Sequence, residues 1–266
     1  VSEKSISELV SLEGRAVVIT GGARGIGAAI ATRLVEAGAS VMIGDLDSQG
    51  AKDTAERLSV PGGRAFGVNC DMSNADSVRQ LADDAVRELG TIDIWVNNAG
   101  VFPTAPFFDM TEAQWDNVLD LNLKGTFLGA QQAAIRMKGA GHGGVIVNVA
   151  STTAFRAPGP GVAHYVSSKF GIRGLTKALA VELGPYDIRV LAVAPTFIDT
   201  PGTGAGRDAS QEGSRREQIK QMGAAKPLGR IGVPDDVARV VLFCASDLAA
   251  LMTGSTLAVD AGELSQ

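Results

Sequence analysis

Short apolar runs and amphipathic stretches alternate along this chain almost from its start. Arg15–Thr20 (RAVVIT) reads as a buried strand, Gly25–Ala37 as a helix stopped by Gly38, and Ser40–Gly44 (SVMIG) as a second strand. A charged helix is expected over Ser48–Leu58 and a third strand over Arg64–Asn69. Ser73, with Asp76 three residues on, is read as the capping box of a helix reaching Leu89. Ile92–Val96 (IDIWV) is a fourth strand, and Thr111 with Gln114 opens a long helical region toward Met137. Val145–Val149 gives a fifth strand, Ala163–Leu183 a helix and Arg189–Val193 another strand. A short helix near Ser214–Met222, a helix from Pro234 to Ala245 and a last strand over Ser255–Val259 complete the pattern.

Strands this apolar, each separated from the next by a helix, predict a parallel sheet covered on both faces. Right-handed crossovers then give an α/β, Rossmann-type doubly wound sheet of about seven strands. No linker, repeat or low-complexity tract divides the chain, so residues 1–266 are read as one domain. The glycine-rich, polar segment near 200–230 is expected to be a substrate lid, with a plain exposed insertion as the alternative.

Bulk properties exclude several classes. The net charge of -5, from 24 basic and 29 acidic side chains, gives no electrostatic reason to expect nucleic acid or an anionic membrane as partner. Arg207, Arg215 and Arg216 form no extended basic stripe. No stretch approaches the ~20 apolar residues that cross a bilayer, and Val1–Gly14 lacks a signal-peptide apolar run. Cys70 and Cys244 make no disulfide framework, so a reducing cytoplasm is expected. The two histidines, His142 in a Gly-rich loop and His164, have no ligand spacing, and no metal site is expected. His164 is read as facing either substrate or solvent.

The 33 glycines have no period; they cluster after apolar runs, where backbone turns tightly or approaches a ligand. After the first strand comes Thr20-Gly21-Gly22-Ala23-Arg24-Gly25-Ile26-Gly27. Gly21 suits a tight turn, Gly25 a close backbone approach and Gly27 close helix–strand packing, with the helix N-terminus directed at a pyrophosphate. Asp45 closes the second strand, where a carboxylate accepts both adenosine-ribose hydroxyls and repels a 2′-phosphate. NAD is therefore expected over NADP, although Arg24 is a guanidinium that would favour the phosphate. The alternative is that Asp45 merely caps the next helix.

With that turn, Asn97-Asn98-Ala99-Gly100 and Tyr165-Val166-Ser167-Ser168-Lys169 make the chain resemble the short-chain dehydrogenase/reductase family from Gly14 to Gly262. The resemblance implies catalytic roles for Asn122, Ser151, Tyr165 and Lys169. Around the cofactor it implies Gly21, Arg24, Gly25, Ile26 and Gly27 at the phosphates, with Asp45 and Leu46 at the ribose. Cys70, Asp71 and Met72 would lie beside the adenine, and Asn98, Ala99 and Gly100 would line the cleft. Pro195, Thr196, Ile198 and Thr200 would grip the nicotinamide side together with Tyr165 and Lys169. Ser151 stands one residue further from Tyr165 than is usual in the family, which leaves Thr152 as a rival hydroxyl. Thr196 replaces the glycine common after that proline.

Tyr165 and Lys169 are four apart and share a helix face. A phenol is a poor base at neutral pH; a neighbouring ammonium is expected to lower its pKa, so that Tyr165 exchanges a proton with the alcohol while Ser151 hydrogen-bonds the same oxygen. Asn122 would fix a water in the relay. Candidate walls for the substrate include Ser151, Thr153, Tyr165, Phe102 and Phe197, with Thr104, Phe107, Phe155 and the 158–162 loop around them. Their apolar character, with Arg156 as the one candidate clamp for an anion, predicts a hydrophobic secondary alcohol or ketone of cyclic, terpenoid, steroid-like or aryl type. The resemblance implies a homotetramer, built on the helical regions 112–137 and 163–183. The alternatives are an NADP-dependent carbonyl or 3-oxoacyl carrier reductase, and an inactive dinucleotide-binding regulatory protein.

Overall fold

The computed structural model describes residues 4–59, 64–200 and 212–265, with the backbone alone over 212–216. Residues 201–211 of the expected lid, and the side chains of Arg207, Arg215 and Arg216, lie outside the described residues.

Seven strands form one sheet: β1 (Ala16–Thr20), β2 (Ser40–Asp45), β3 (Arg64–Asn69), β4 (Ile94–Asn97), β5 (Gly144–Val149), β6 (Ile188–Pro195) and β7 (Thr256–Val259). Every pairing is parallel, in the order β3-β2-β1-β4-β5-β6-β7. The helices are α1 (Ile6–Val10), α2 (Gly25–Glu36), α3 (Ser48–Leu58), α4 (Ala75–Leu89), α5 (Glu112–Leu119), α6 (Gly125–Ala140), α7 (Ala163–Leu183), α8 (Glu212–Ala224) and α9 (Pro234–Ala245).

The period of two along the strands explains why helices cover both faces. Val17, Ile19, Ile43 and Val147 point to one side and pack with Ile30 and Leu34 of α2 and Val237 and Val241 of α9. Val18, Met42, Trp95 and Ile146 point to the other and meet Val78 and Leu81 of α4 and Ala133 and Met137 of α6. Two cores, one on each face, are thus separated by a sheet whose central strand, β4, is buried throughout. Between β1 and β4 the strand order reverses, and connections leave in opposite directions, so a crevice opens beyond their carboxyl ends.

Several boundaries differ from the sequence pattern. Asn74, not Ser73, caps α4: its Oδ1 accepts from Asp76 N at 2.9 Å and Ser77 N at 3.1 Å. Ser73 instead donates from its backbone and hydroxyl to Asp71. The fourth strand starts at Ile94, because Asp93 just before it accepts a bond from Ala16 N at 2.7 Å. Helix α1 was not anticipated, though Ser5 and Glu8 close a capping box at its start. The Thr111–Gln114 box is present as expected.

The long helical region is not continuous. Asp120–Lys124 forms a π-helical turn between α5 and α6, and it carries Asn122. Its side chain is buried: Oδ1 accepts from Val101 N and Nδ2 donates to Val101 O, both at 2.9 Å, with a further bond to the Ser168 hydroxyl at 3.2 Å. Such a widened turn redirects one side chain without bending its flanks apart. A second buried relay runs from Trp95 through Asn97 and Asn148 to Thr176, joining β4, β5 and α7 under the crevice.

Candidate active site

The crevice is a cavity of about 890 Å³, near the upper end of the range for small-molecule clefts. Its first wall is the turn after β1. Gly21 and Gly25 adopt φ of +66° and +60°, a region that disfavours other residues. A Cβ at Gly21 would lie 2.8 Å from Ala99 Cα, and one at Gly27 would lie 2.2 Å from Gly21 O. Asn98 ties the two sides of this cradle, donating from Nδ2 to Gly21 O at 2.8 Å and to Thr20 O at 3.0 Å. Thr20 Oγ1 in turn accepts from the amides of Asn98 and Ala99. At the head of α2, Arg24 makes no side-chain cap, so first-turn amides face the cavity without a capping side chain. These features fit a dinucleotide pyrophosphate.

Asp45 ends β2 at the same cavity. Oδ2 accepts from Ala23 N and Oδ1 from Asp47 N, each at 2.9 Å. Asp47, whose side chain accepts from Gly50 N, is the cap of α3, so the capping alternative for Asp45 fails. A carboxylate accepts about four hydrogen bonds, and two of these positions remain for a ribose. Leu46, Cys70, Asp71 and Met72 complete this end. Burial pushes the Cys70 thiol up to about 11, which makes it an apolar wall rather than a nucleophile.

At the opposite end, α7 carries Tyr165 and Lys169 into the cavity one turn apart, with Lys169 Nζ 5.7 Å from the centre of the Tyr165 ring. Lys169 is buried and donates to Val149 O at 2.9 Å. Burial depresses its pKa to about 8. The expectation that the ammonium lowers the Tyr165 pKa is not met by the chain alone. Burial raises it, and only the Ser151 and Thr153 hydroxyls work the other way. Of the two rival hydroxyls, that of Ser151 acts on the phenol, and both Ser151 and Thr152 line the cavity. Thr153 Oγ1 is buried and forms no well-aligned bond within the protein, so its approach to the phenol is loose.

Phe102 packs edge-on against Tyr165 with ring centres 6.4 Å apart. Thr104, Pro158, Val162 and Phe197 also line the cavity, as anticipated. Phe107, 72% exposed, and Phe155 do not line it. His164 is fully buried and faces neither substrate nor solvent; its Nδ1 accepts from Tyr165 N and its Nε2 has no partner. Asn122 lies behind the cavity and holds the Val101 segment that borders it. Arg156 is engaged by Glu263, which also accepts from Lys226 and Thr196. Lys226, Glu263, Asn117, Leu121 and Met222 line the site without having been singled out in the sequence. Nothing in local spacing marks them, since they come from three distant segments. Among the described residues no cluster of three His, Cys, Asp or Glu side chains could hold a metal ion. No helix of the described residues is long and apolar enough to cross a membrane.

A parallel doubly wound sheet with this crevice and a Tyr–Lys pair defines a nucleotide-dependent oxidoreductase class. Residues 21–263 match the family described as enoyl-(acyl carrier protein) reductase, and the chain belongs to the short-chain dehydrogenase/reductase family. It is 40% identical over 260 residues to a D-threitol dehydrogenase of Mycolicibacterium smegmatis, covering 98% of this chain and 96% of that protein. It is 40% identical to a cis-4-hydroxycyclohexanecarboxylate dehydrogenase of Sinomonas cyclohexanicum, over 93% of this chain and 96% of the relative. A crystal structure of a short-chain type dehydrogenase/reductase from Mycobacterium marinum superposes with a TM-score of 0.89 at 36% identity, covering 97% and 98% of the two chains. The chain is thus a family oxidoreductase whose relatives act on alcohols.

Proposed function

We propose that this protein is an NAD-dependent dehydrogenase that interconverts a hydrophobic secondary alcohol and its ketone. The observation that carries the reading is the convergence of Ser151, Tyr165 and Lys169 at one end of a cavity whose other end holds Asp45. A bound nicotinamide supplies the hydride acceptor or donor. In oxidation Tyr165 takes the alcohol proton, while Ser151, with Thr153 as a further donor, steadies charge on the same oxygen. In reduction Tyr165 returns that proton. Lys169 holds the nicotinamide ribose and favours the phenolate once a positive ring lies beside it. Asn122 is a positioning residue, since its side chain is spent on Val101.

The Asp45 carboxylate is the reason to choose NAD. Two negative groups ~4–6 Å apart repel by ~3–4 kcal/mol at an effective dielectric near 20, so NADP is used on the order of 10²–10³-fold less well. Asp45→Ser lowers the NAD preference by at least tenfold, read as the ratio of kcat/KM for the two cofactors across a panel of cyclic and aryl alcohols. An unchanged ratio removes Asp45 from cofactor choice. Absence of turnover with every alcohol and both cofactors sinks the enzymatic reading in favour of a regulatory binding protein.

The same reading extends to assembly and location. Trp115, Phe127 and Ile135 along α5 and α6, with Phe170 and Val181 on α7, leave apolar side chains on the surface. They support a homotetramer that pairs these helices, and light scattering that returns a monomer mass would refute it. The two buried free thiols, Cys70 and Cys244, suit a reducing cytoplasm.

A further inference from the structure

Glu263 sits where four segments meet at the substrate end of the cavity. Its Oε2 accepts from Lys226 Nζ at 2.8 Å and from the Thr196 hydroxyl, and its Oε1 from Arg156. Glu263 and Lys226 both line the cavity and are largely withdrawn from water, at 12% and 13% side-chain exposure. Burial works to raise the Glu263 pKa, but the bonds from Lys226, Thr196 and Arg156 prevail and hold it below the ordinary carboxylate range. Apolar walls from Phe102, Leu121, Val162, Phe197 and Met222 surround the rest of this end.

The donor inventory is unbalanced. Two cations share one anion, so the cluster carries a net positive charge. The carboxylate has about one acceptor position left, whereas the ammonium retains two protons and the guanidinium several. Arg156, 48% exposed, can give its spare donors to water. Lys226, 13% exposed, faces the cavity rather than open solvent, and a partly withdrawn charge with unmet donors is costly. An acceptor-rich anion entering the cavity relieves that deficit, and Glu263 holds the lysine in place for it.

We propose that Lys226, the cation that lines the cavity, forms a subsite for a carboxylate borne by the substrate, making the substrate class hydroxy acids with an apolar body rather than wholly neutral alcohols. This rests on the dehydrogenase reading and deepens it. A charged hydrogen bond of this kind changes affinity by about tenfold or more.

The test uses 4-hydroxycyclohexanecarboxylate and its methyl ester, which share the reacting alcohol and differ in charge. In the wild-type protein the acid has a kcat/KM at least about tenfold above the ester, mainly through KM. Lys226→Gln brings the ratio close to one, and Lys226→Arg restores most of it. A purely structural strap lowers both substrates alike and leaves the ratio unchanged, which overturns the proposal. So does an ester used as well as the acid by the wild type. If neither compound is oxidised, the dehydrogenase reading fails for such alcohols, and calorimetry still decides the subsite. Cyclohexanecarboxylate binding to wild type but not to Lys226→Gln upholds it, while no binding, or equal binding, overturns it.

Discussion

Replacing Tyr165 with phenylalanine lowers kcat for alcohol oxidation by about 10³-fold, within the span that a positioned proton-transfer group contributes. The substitution keeps the ring that packs against Phe102 and removes only the hydroxyl that Ser151 and Thr153 approach. NAD affinity should therefore stay near the wild-type value, which fluorescence titration measures. The pH profile gives a second reading. Because burial raises the phenol pKa, the proton-accepting form is scarce at neutral pH, and oxidation accelerates as pH rises. Reduction uses the phenol as acid and slows over the same interval. With the nicotinamide bound, Lys169→Met removes the charge proposed to favour the phenolate and moves the oxidation profile to higher pH. A Tyr165→Phe protein that retains a tenth of wild-type kcat would move the proton chemistry to another group.

Gly27→Ala produces the second large effect. The new Cβ would stand 2.2 Å from Gly21 O and 2.6 Å from Asn98 Nδ2. The first obstacle is backbone and cannot swing aside, so α2 must withdraw from the turn that receives the phosphates. Forced overpacking costs about 1–3 kcal/mol, which lowers Tm by roughly 2–4 °C per kcal/mol in a chain of this size. NAD affinity falls by more than about tenfold, equivalent to 1.4 kcal/mol. Gly139→Ala serves as the contrast, since its Cβ meets nothing within 4 Å and α6 would gain a better helix former. Calorimetric titration and thermal melts of both variants check the pair. Equal behaviour would show that the Gly27 contact yields without consequence.

The elements most visible in the sequence were those whose signal is local. A continuous apolar run and the glycines that follow it mark β1 and α2, and the Thr111–Gln114 box marks α5. The cofactor wall is a contiguous motif, and Tyr165 with Lys169 is a single helical turn. Choices between adjacent cap residues are less legible: Ser73 and Asn74 are both good caps, and the bond from Ser73 to Asp71 decides between them. The π-turn leaves no trace in the hydrophobic pattern, because Val118 and Gly125 stay buried on either side of it. Glu263, Lys226 and Arg156 were unreadable as a unit, since only the folded chain brings them together. Nor does sequence carry desolvation, which explains the upward shift at Tyr165 and the burial of His164.

The widened turn at Asp120–Lys124 holds one residue more than an ordinary helix would over the same length. Loss of a single residue there would let α5 and α6 run together as a regular helix, each still fitted to its own neighbours. The remaining side chains in the turn would rotate by roughly 100°, and Asn122 would leave the Val101 backbone it clamps. Such a shortened chain would fold and fill its core, yet the loop that borders the crevice would be released on one side.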